Sequence, residues 1–211
     1  MNNLFKDGYY IGKNVELFPE LSIFKDHCLK TNELVNDKNE FKYRFDYKYP
    51  KSYEMLISLD EISGREQFVR DNNLSTFQRW WQYSGKKLMP LKNYFRKGVT
   101  NFINENYGDL GELVHMDDVT LFENGDFINE HKDGFNEGRI CVFLIYLSDS
   151  QTYNDGGGKL IIKNNDITEE VYPINENFTI LDFTQNNVTH EVTPVKNDFK
   201  RLTYVNFISK K

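Results

Sequence analysis

Cysteine is scarce in this sequence, with only Cys28 and Cys141 among 211 residues. That scarcity excludes a disulfide framework and a cysteine-built zinc site, and Cys141, inside a strongly apolar stretch, reads as an ordinary buried thiol. No segment approaches the roughly 20 apolar residues needed to cross a bilayer. The N-terminus, Met1-Asn2-Asn3-Leu4-Phe5-Lys6-Asp7, has no basic stretch followed by an apolar run. No membrane association and a cytoplasmic location are therefore expected. A positive excess is missing too: the net charge of -6 disfavours nonspecific attraction to polyanions, while leaving room for a local basic groove. Neither an internal repeat of fixed period nor a low-complexity linker interrupts the chain.

What is present is enough apolar material for a sizeable core, 39% hydrophobic and 15% aromatic. We expect one domain over 1–211, with a helix-rich support containing some strand over 1–111 and a strand-rich core over 112–211. The spacing of Leu21, Phe24, Cys28 and Leu29 predicts a helix within 19–35, with Pro19 tolerable at its start. Phe41, Tyr43, Phe45 and Tyr47 alternate with Lys42, Arg44, Asp46 and Lys48, the period of two of a half-buried strand. Leu91, Tyr94, Phe95, Val99, Phe102 and Ile103 recur at helical spacing after Pro90, which predicts a long amphipathic helix over 91–107. Beyond Gly111, short strands are predicted over 114–122, 139–147, 159–163, 178–182, 188–192 and 201–208. The fold class is α+β, mainly β: a sandwich or barrel with helices over one face.

The four histidines are His27, His115, His131 and His190. In a strand, side chains two apart share a face, so His131-Lys132-Asp133 can present an imidazole and a carboxylate to one metal while Lys132 points away. A third ligand from another strand, for which His190 is the best candidate, would complete two histidines and a carboxylate, the set that leaves open positions on iron(II). His115-Met116-Asp117 has the same spacing, so the tripeptide alone decides nothing. Isolated histidines such as His27 and His115 are more often structural than metal-binding.

Three ordered blocks surround His131: Phe127 through Asp133; Gly138-Arg139-Ile140-Cys141-Val142-Phe143-Leu144-Ile145-Tyr146-Leu147 followed by Asn154-Asp155-Gly156-Gly157-Gly158-Lys159-Leu160; and Leu181-Asp182-Phe183 through His190-Glu191-Val192-Thr193-Pro194-Val195 to Arg201. Together they resemble the prolyl 4-hydroxylase-like branch of the iron(II)/2-oxoglutarate oxygenases over residues 112–208. The resemblance implies a double-stranded β-helix, or jelly roll, with N-terminal helices on one face, and a catalytic core over 112–211. It implies iron(II) held by His131, Asp133 and His190, with 2-oxoglutarate and dioxygen as cosubstrates and ascorbate as an accessory. Two departures are visible. The interval from His190 to Arg201 is about one residue longer than is usual in the family, and Asp198 stands where a glycine is common.

A dicarboxylate entering a barrel needs a cation for its far end, because an unpaired buried charge is strongly disfavoured. Arg201 offers a planar fork, and its neighbour Lys200 falls on the opposite strand face. Thr203 shares the face of Arg201 and can reach the same carboxylate. In the resemblance a tyrosine late in the Gly-Arg strand does so as well, and Tyr146 holds that place, with a core aromatic as its plain alternative. Gly156-Gly157-Gly158 reads as a hairpin turn.

Substrate is less legible. The resemblance implies hydroxylation of a prolyl residue in a peptide or protein. A nucleic acid is the alternative, since Arg65, Arg70, Arg79, Lys86, Lys87, Lys92, Arg96 and Lys97 interleave with Phe77, Trp80, Trp81 and Tyr83. The plain reading of the segment 65–97 is a solvated helix face with core tryptophans. A small-molecule oxygenase and a catalytically silent binding protein of the same fold complete the alternatives, the last opposed by retention of all three ligands and Arg201.

Overall fold

The computed structural model describes residues 7–35, 41–49, 51–57, 76–83, 86–108, 110–133, 138–183 and 188–211, and within 41–80 the backbone alone. The elements in chain order are β1 (Tyr9–Lys13), α1 (Asn14–Leu17), α2 (Leu21–Leu34), β2 (Phe41–Tyr49), β3 (Lys51–Ile57), β4 (Thr76–Tyr83) and α3 (Met89–Tyr107). Then come β5 (Leu113–Phe122), β6 (Phe127–His131), β7 (Arg139–Tyr146), β8 (Leu160–Asn164), β9 (Ile167–Val171), β10 (Asn177–Asp182), β11 (Val188–Val192) and β12 (Arg201–Lys210). The expected helices form, and Pro90 lies in the first turn of α3, where a missing N–H costs nothing.

All described pairings are antiparallel. One sheet runs β1-β10-β7-β12-β5, and the smaller one runs β6-β11-β8-β9. β4 joins them: Trp81 to Tyr83 pair with β5, whereas Gln78 and Arg79 pair with β6. β2 and β3 continue outward from β4. The result is the jelly roll expected, with helices on one face of the larger sheet.

β7 shows why the sequence is apolar without alternation. Its odd-numbered residues Cys141, Phe143 and Ile145 pack with Phe24, Phe95 and Phe102 of the helices. Its even-numbered residues Val142, Leu144 and Tyr146 pack between the sheets with Leu160, Ile162 and Val192. A strand buried on both faces has no polar side to alternate with. β12 divides likewise, with Leu202, Tyr204 and Ile208 toward the helices. Arg201, Thr203 and Val205 have the opposite parity, and Val205 packs against the inter-sheet core. This parity decides which residues can meet a ligand in the barrel.

Candidate metal centre

In β6 and β11 the backbones place His131 directly opposite His190, and the imidazole centroids are 4.3 Å apart. Asp133 does not lie on the strand, as the spacing had suggested: β6 ends at His131. Irregular backbone follows and still brings the carboxylate in, with Oδ1 3.8 Å from His131 Nε2 and Oδ2 3.6 Å from His190 Nε2. Among the described residues, this is the one group of three such side chains with ligand atoms mutually within 4.8 Å. Cis donors on an ion with bonds of about 2.1 Å stand about 3 Å apart, so the three need move inward only slightly.

The protonation states suit a metal. His131 Nδ1 lies 2.8 Å from the Asn129 carbonyl, so that nitrogen carries the proton and Nε2 presents its lone pair. Burial pushes His190 down to about 4; Asp133 opposes this, while His131 and the positive charge of Arg201 add to it. At neutral pH His190 is a neutral imidazole, the ligating form. The chemistry of the donor set therefore fits iron(II).

Arg201 opens β12 and is 2% exposed. Its Nε donates to the Gly158 carbonyl at 2.8 Å and its Nη1 to the Thr203 hydroxyl at 2.9 Å. The guanidinium carbon stands 4.9 Å from the Phe122 ring centroid and 5.4 Å from that of Tyr146. Burial lowers its pKa, an effect that Tyr146 opposes. No described carboxylate pairs with Arg201, so a buried cation has only neutral partners in a barrel that also holds the histidine–carboxylate group. Tyr146 is fully buried, and its hydroxyl is 3.2 Å from that of Thr179 on β10. Lys200 faces outward, 47% exposed and 4.0 Å from Glu123, as strand parity requires.

The triple glycine is not a hairpin turn. It lies on the connection from β7 to β8, strands that do not pair with each other, and Gly157 forms a bridge with Val195. Both Gly157 and Gly158 have φ of +63°, and a Cβ on Gly157 would stand 2.1 Å from the Pro194 carbonyl oxygen. A Cβ on Gly158 would stand 3.0 Å from Arg201 Cδ. The glycines thus let the loop press against Arg201 and offer it a carbonyl. Ser148 is a positioning residue that nothing in the sequence pattern marks. Its hydroxyl donates to the Lys200 carbonyl at 2.9 Å and accepts from Leu202 N–H at 2.8 Å, pinning the backbone on both sides of Arg201.

The other histidines are structural. His115 Nε2 lies 3.2 Å from the Thr100 hydroxyl and its Nδ1 3.0 Å from the Asn206 amide. His27 stacks on Tyr94 at 4.1 Å. In the basic aromatic segment, Arg65 and Arg70 lie outside the described residues. Its tryptophans are in strand β4 rather than a helix, with Trp81 in the core. Lys92 and Arg96 turn inward, at 3.3 and 2.5 Å from Asp117, so these two cations already have a carboxylate partner.

Two antiparallel sheets rolled together, with two histidines and a carboxylate gathered between them, define a class of metalloprotein that keeps positions on non-haem iron open for a cosubstrate and dioxygen. A family model described as the 2OG-Fe(II) oxygenase superfamily matches residues 114–209. No curated protein matches the chain. Among solved structures, a prolyl hydroxylase from Trichoplax adhaerens in complex with a hypoxia inducible factor oxygen degradation domain peptide fragment is similar at 17% identity and a TM-score of 0.68, over 99% of this chain and 86% of that one. A Pseudomonas putida prolyl-4-hydroxylase is 15% identical with a TM-score of 0.58, over 100% and 96%. The viral collagen prolyl hydroxylase of Paramecium Bursaria Chlorella virus-1, in a 2OG complex, is 12% identical with a TM-score of 0.62, over 99% of both chains.

Residues 114–209 thus carry the match to the 2OG-Fe(II) oxygenase superfamily, and the chain is prolyl 4-hydroxylase-like in fold. It is a 2-oxoglutarate-dependent dioxygenase, of a family that uses iron(II), 2-oxoglutarate and dioxygen.

Proposed function

We propose that the protein hydroxylates a C–H bond of a prolyl residue in a peptide or protein, converting 2-oxoglutarate to succinate and carbon dioxide. In this reading His131, Asp133 and His190 hold iron(II), and Arg201, flanked by Thr203 and Tyr146, receives the far carboxylate of 2-oxoglutarate. The observation that carries it is the buried guanidinium with only neutral partners beside the histidine–carboxylate group, since a buried cation calls for an anion. The bound iron supplies dioxygen activation coupled to oxidative decarboxylation, chemistry beyond any side chain here. The protein orients the reactants: Arg201 fixes one end of the cosubstrate with paired N–H donors, and the Phe122 and Tyr146 rings beside it keep water away. The prolyl assignment is supported by the fold, which this chain shares with solved prolyl hydroxylases, one of them in complex with a peptide fragment.

The test is succinate release from the iron-loaded protein, with and without ascorbate, across prolyl peptides, oligonucleotides and free amino acids, with His131→Ala as the inactive control. Prolyl peptides should stimulate release and gain about 16 Da, the mass of one oxygen atom inserted into a C–H bond to give C–OH. Stimulation by oligonucleotides or free amino acids instead would overturn the prolyl assignment.

A further inference from the structure

Behind the two metal histidines, on the outer face of the smaller sheet, side chains tie three strands together. Glu130 of β6 accepts a hydrogen bond from Lys163 Nζ of β8 at 2.6 Å through Oε2, and one from the Thr189 hydroxyl of β11 at 2.6 Å through Oε1. Lys163 Nζ also stands 3.4 Å from Glu191 Oε1 of β11. Exposed pairs of this kind contribute little to global stability. Their place is what matters: Glu130 directly precedes His131, and Thr189 and Glu191 flank His190.

β8 holds β11 along its length, His190 opposite Ile162, but the backbone gives His131 little support. β6 and β11 share the pairs His190↔His131 and Val192↔Ile128, with a register shift between them, and β6 ends at His131. The other neighbour of β6, β4, pairs only with Phe127 and Ile128. At the metal end, a single backbone pair therefore sets the distance between the two imidazoles. Because successive strand residues alternate between faces, a grip on Glu130 from outside acts on the backbone that carries His131 inside.

We propose that Glu130 is a positioning residue for the metal centre: by holding Thr189 and Lys163 together it fixes the separation and twist of β6 and β11 where their histidines must meet one ion. The inference rests on His131, Asp133 and His190 being the iron ligands. It needs no change in the charge of Glu130, only its two hydrogen bonds. Groups outside a ligand sphere that orient the ligands commonly alter metal affinity by about 10–100-fold when removed.

Cobalt(II) serves as a spectroscopic substitute for iron(II), titrated into the metal-free protein without 2-oxoglutarate and followed by calorimetry and by its visible ligand-field bands. Glu130→Ala should bind cobalt about tenfold more weakly with altered bands, while the thermal midpoint of the metal-free protein stays in place. Glu130→Gln keeps an acceptor for Thr189 and should restore most of the affinity. Thr189→Val should weaken binding, and the double variant Glu130→Ala with Thr189→Val should lose less than the sum of the two, as expected of partners in one contact. Wild-type affinity and spectrum in Glu130→Ala, or strictly additive losses, would overturn the positioning role alone. Absence of cobalt binding by the wild type, or binding that survives His131→Ala unchanged, would overturn the ligand assignment and this inference with it.

Discussion

Arg201 has a hydrogen bond to a carbonyl, another to a hydroxyl and aromatic rings within about 5.5 Å, yet no described carboxylate beside it. Withdrawing a partner from a buried ion costs about 3–5 kcal/mol. Arg201→Ala is therefore expected to weaken 2-oxoglutarate binding by roughly two to three orders of magnitude while iron(II) affinity is retained. Lys200→Ala, on the outward face, should leave both unchanged; calorimetric titration with 2-oxoglutarate distinguishes them. Gly158→Ala should also weaken 2-oxoglutarate, because its Cβ would press on Arg201 Cδ at 3.0 Å and its φ is +63°. At this scale the sequence was readable where parity applied, as for Arg201 against Lys200. The spacing of Asp133 implies a strand, and the chain reaches the same place through irregular backbone after β6. Ser148 and Thr179 carry no local signal, because their partners lie on strands distant in sequence.

β5 shows at the scale of elements why His115-Met116-Asp117 is a decoy. Its odd-numbered residues face α3 and not the barrel, as Val119 and Leu121 in the helix-side core show. Asp117 accepts from Arg96 and from the Tyr204 hydroxyl, and Lys92 lies 3.3 Å away. Burial alone would raise the Asp117 pKa, but hydrogen bonds from Arg96 and Tyr204 and the charges of Lys92 and Arg96 outweigh it, and the carboxyl is held below its ordinary value. A depressed folded-state pKa contributes stability that is fully present above the unfolded value of about 4 and is lost as pH falls through the folded value. The wild type should therefore lose this contribution only below about pH 4. Asp117→Ala, which leaves Arg96 without its carboxylate and Lys92 with Asp118 at 3.4 Å, should destabilise the protein at neutral pH by about 3 kcal/mol and flatten the acid limb of the stability curve. Urea unfolding at several pH values checks both, and an unchanged acid limb would contradict the role given to Asp117.

Elements differ in legibility for the same physical reason. β7, β11 and β12 bury residues that announce a strand, and α3 has a clear apolar stripe. β9, Ile-Thr-Glu-Glu-Val, is exposed over its first four residues, and only pairing with β8 makes it a strand. Lys92 and Arg96 look like part of a basic run in the sequence, whereas the fold spends them on Asp117.

For the whole molecule, the jelly roll was legible because three ordered blocks and many short strands agree, and no single tripeptide could have supplied that. How the halves join was not: β1 pairs with β10 and β4 bridges the two sheets, contacts between residues far apart in sequence. Substrate choice is equally non-local, since the fold constrains the reaction centre more tightly than what is brought to it. The central claim concerns that centre, and labelled dioxygen tests it most directly. With iron(II), 2-oxoglutarate, a stimulating prolyl peptide and ¹⁸O₂, one labelled atom should appear in succinate and the other largely in the hydroxylated peptide, with no turnover when any one component is omitted. Turnover without 2-oxoglutarate, or product formed without labelled succinate, would contradict the account.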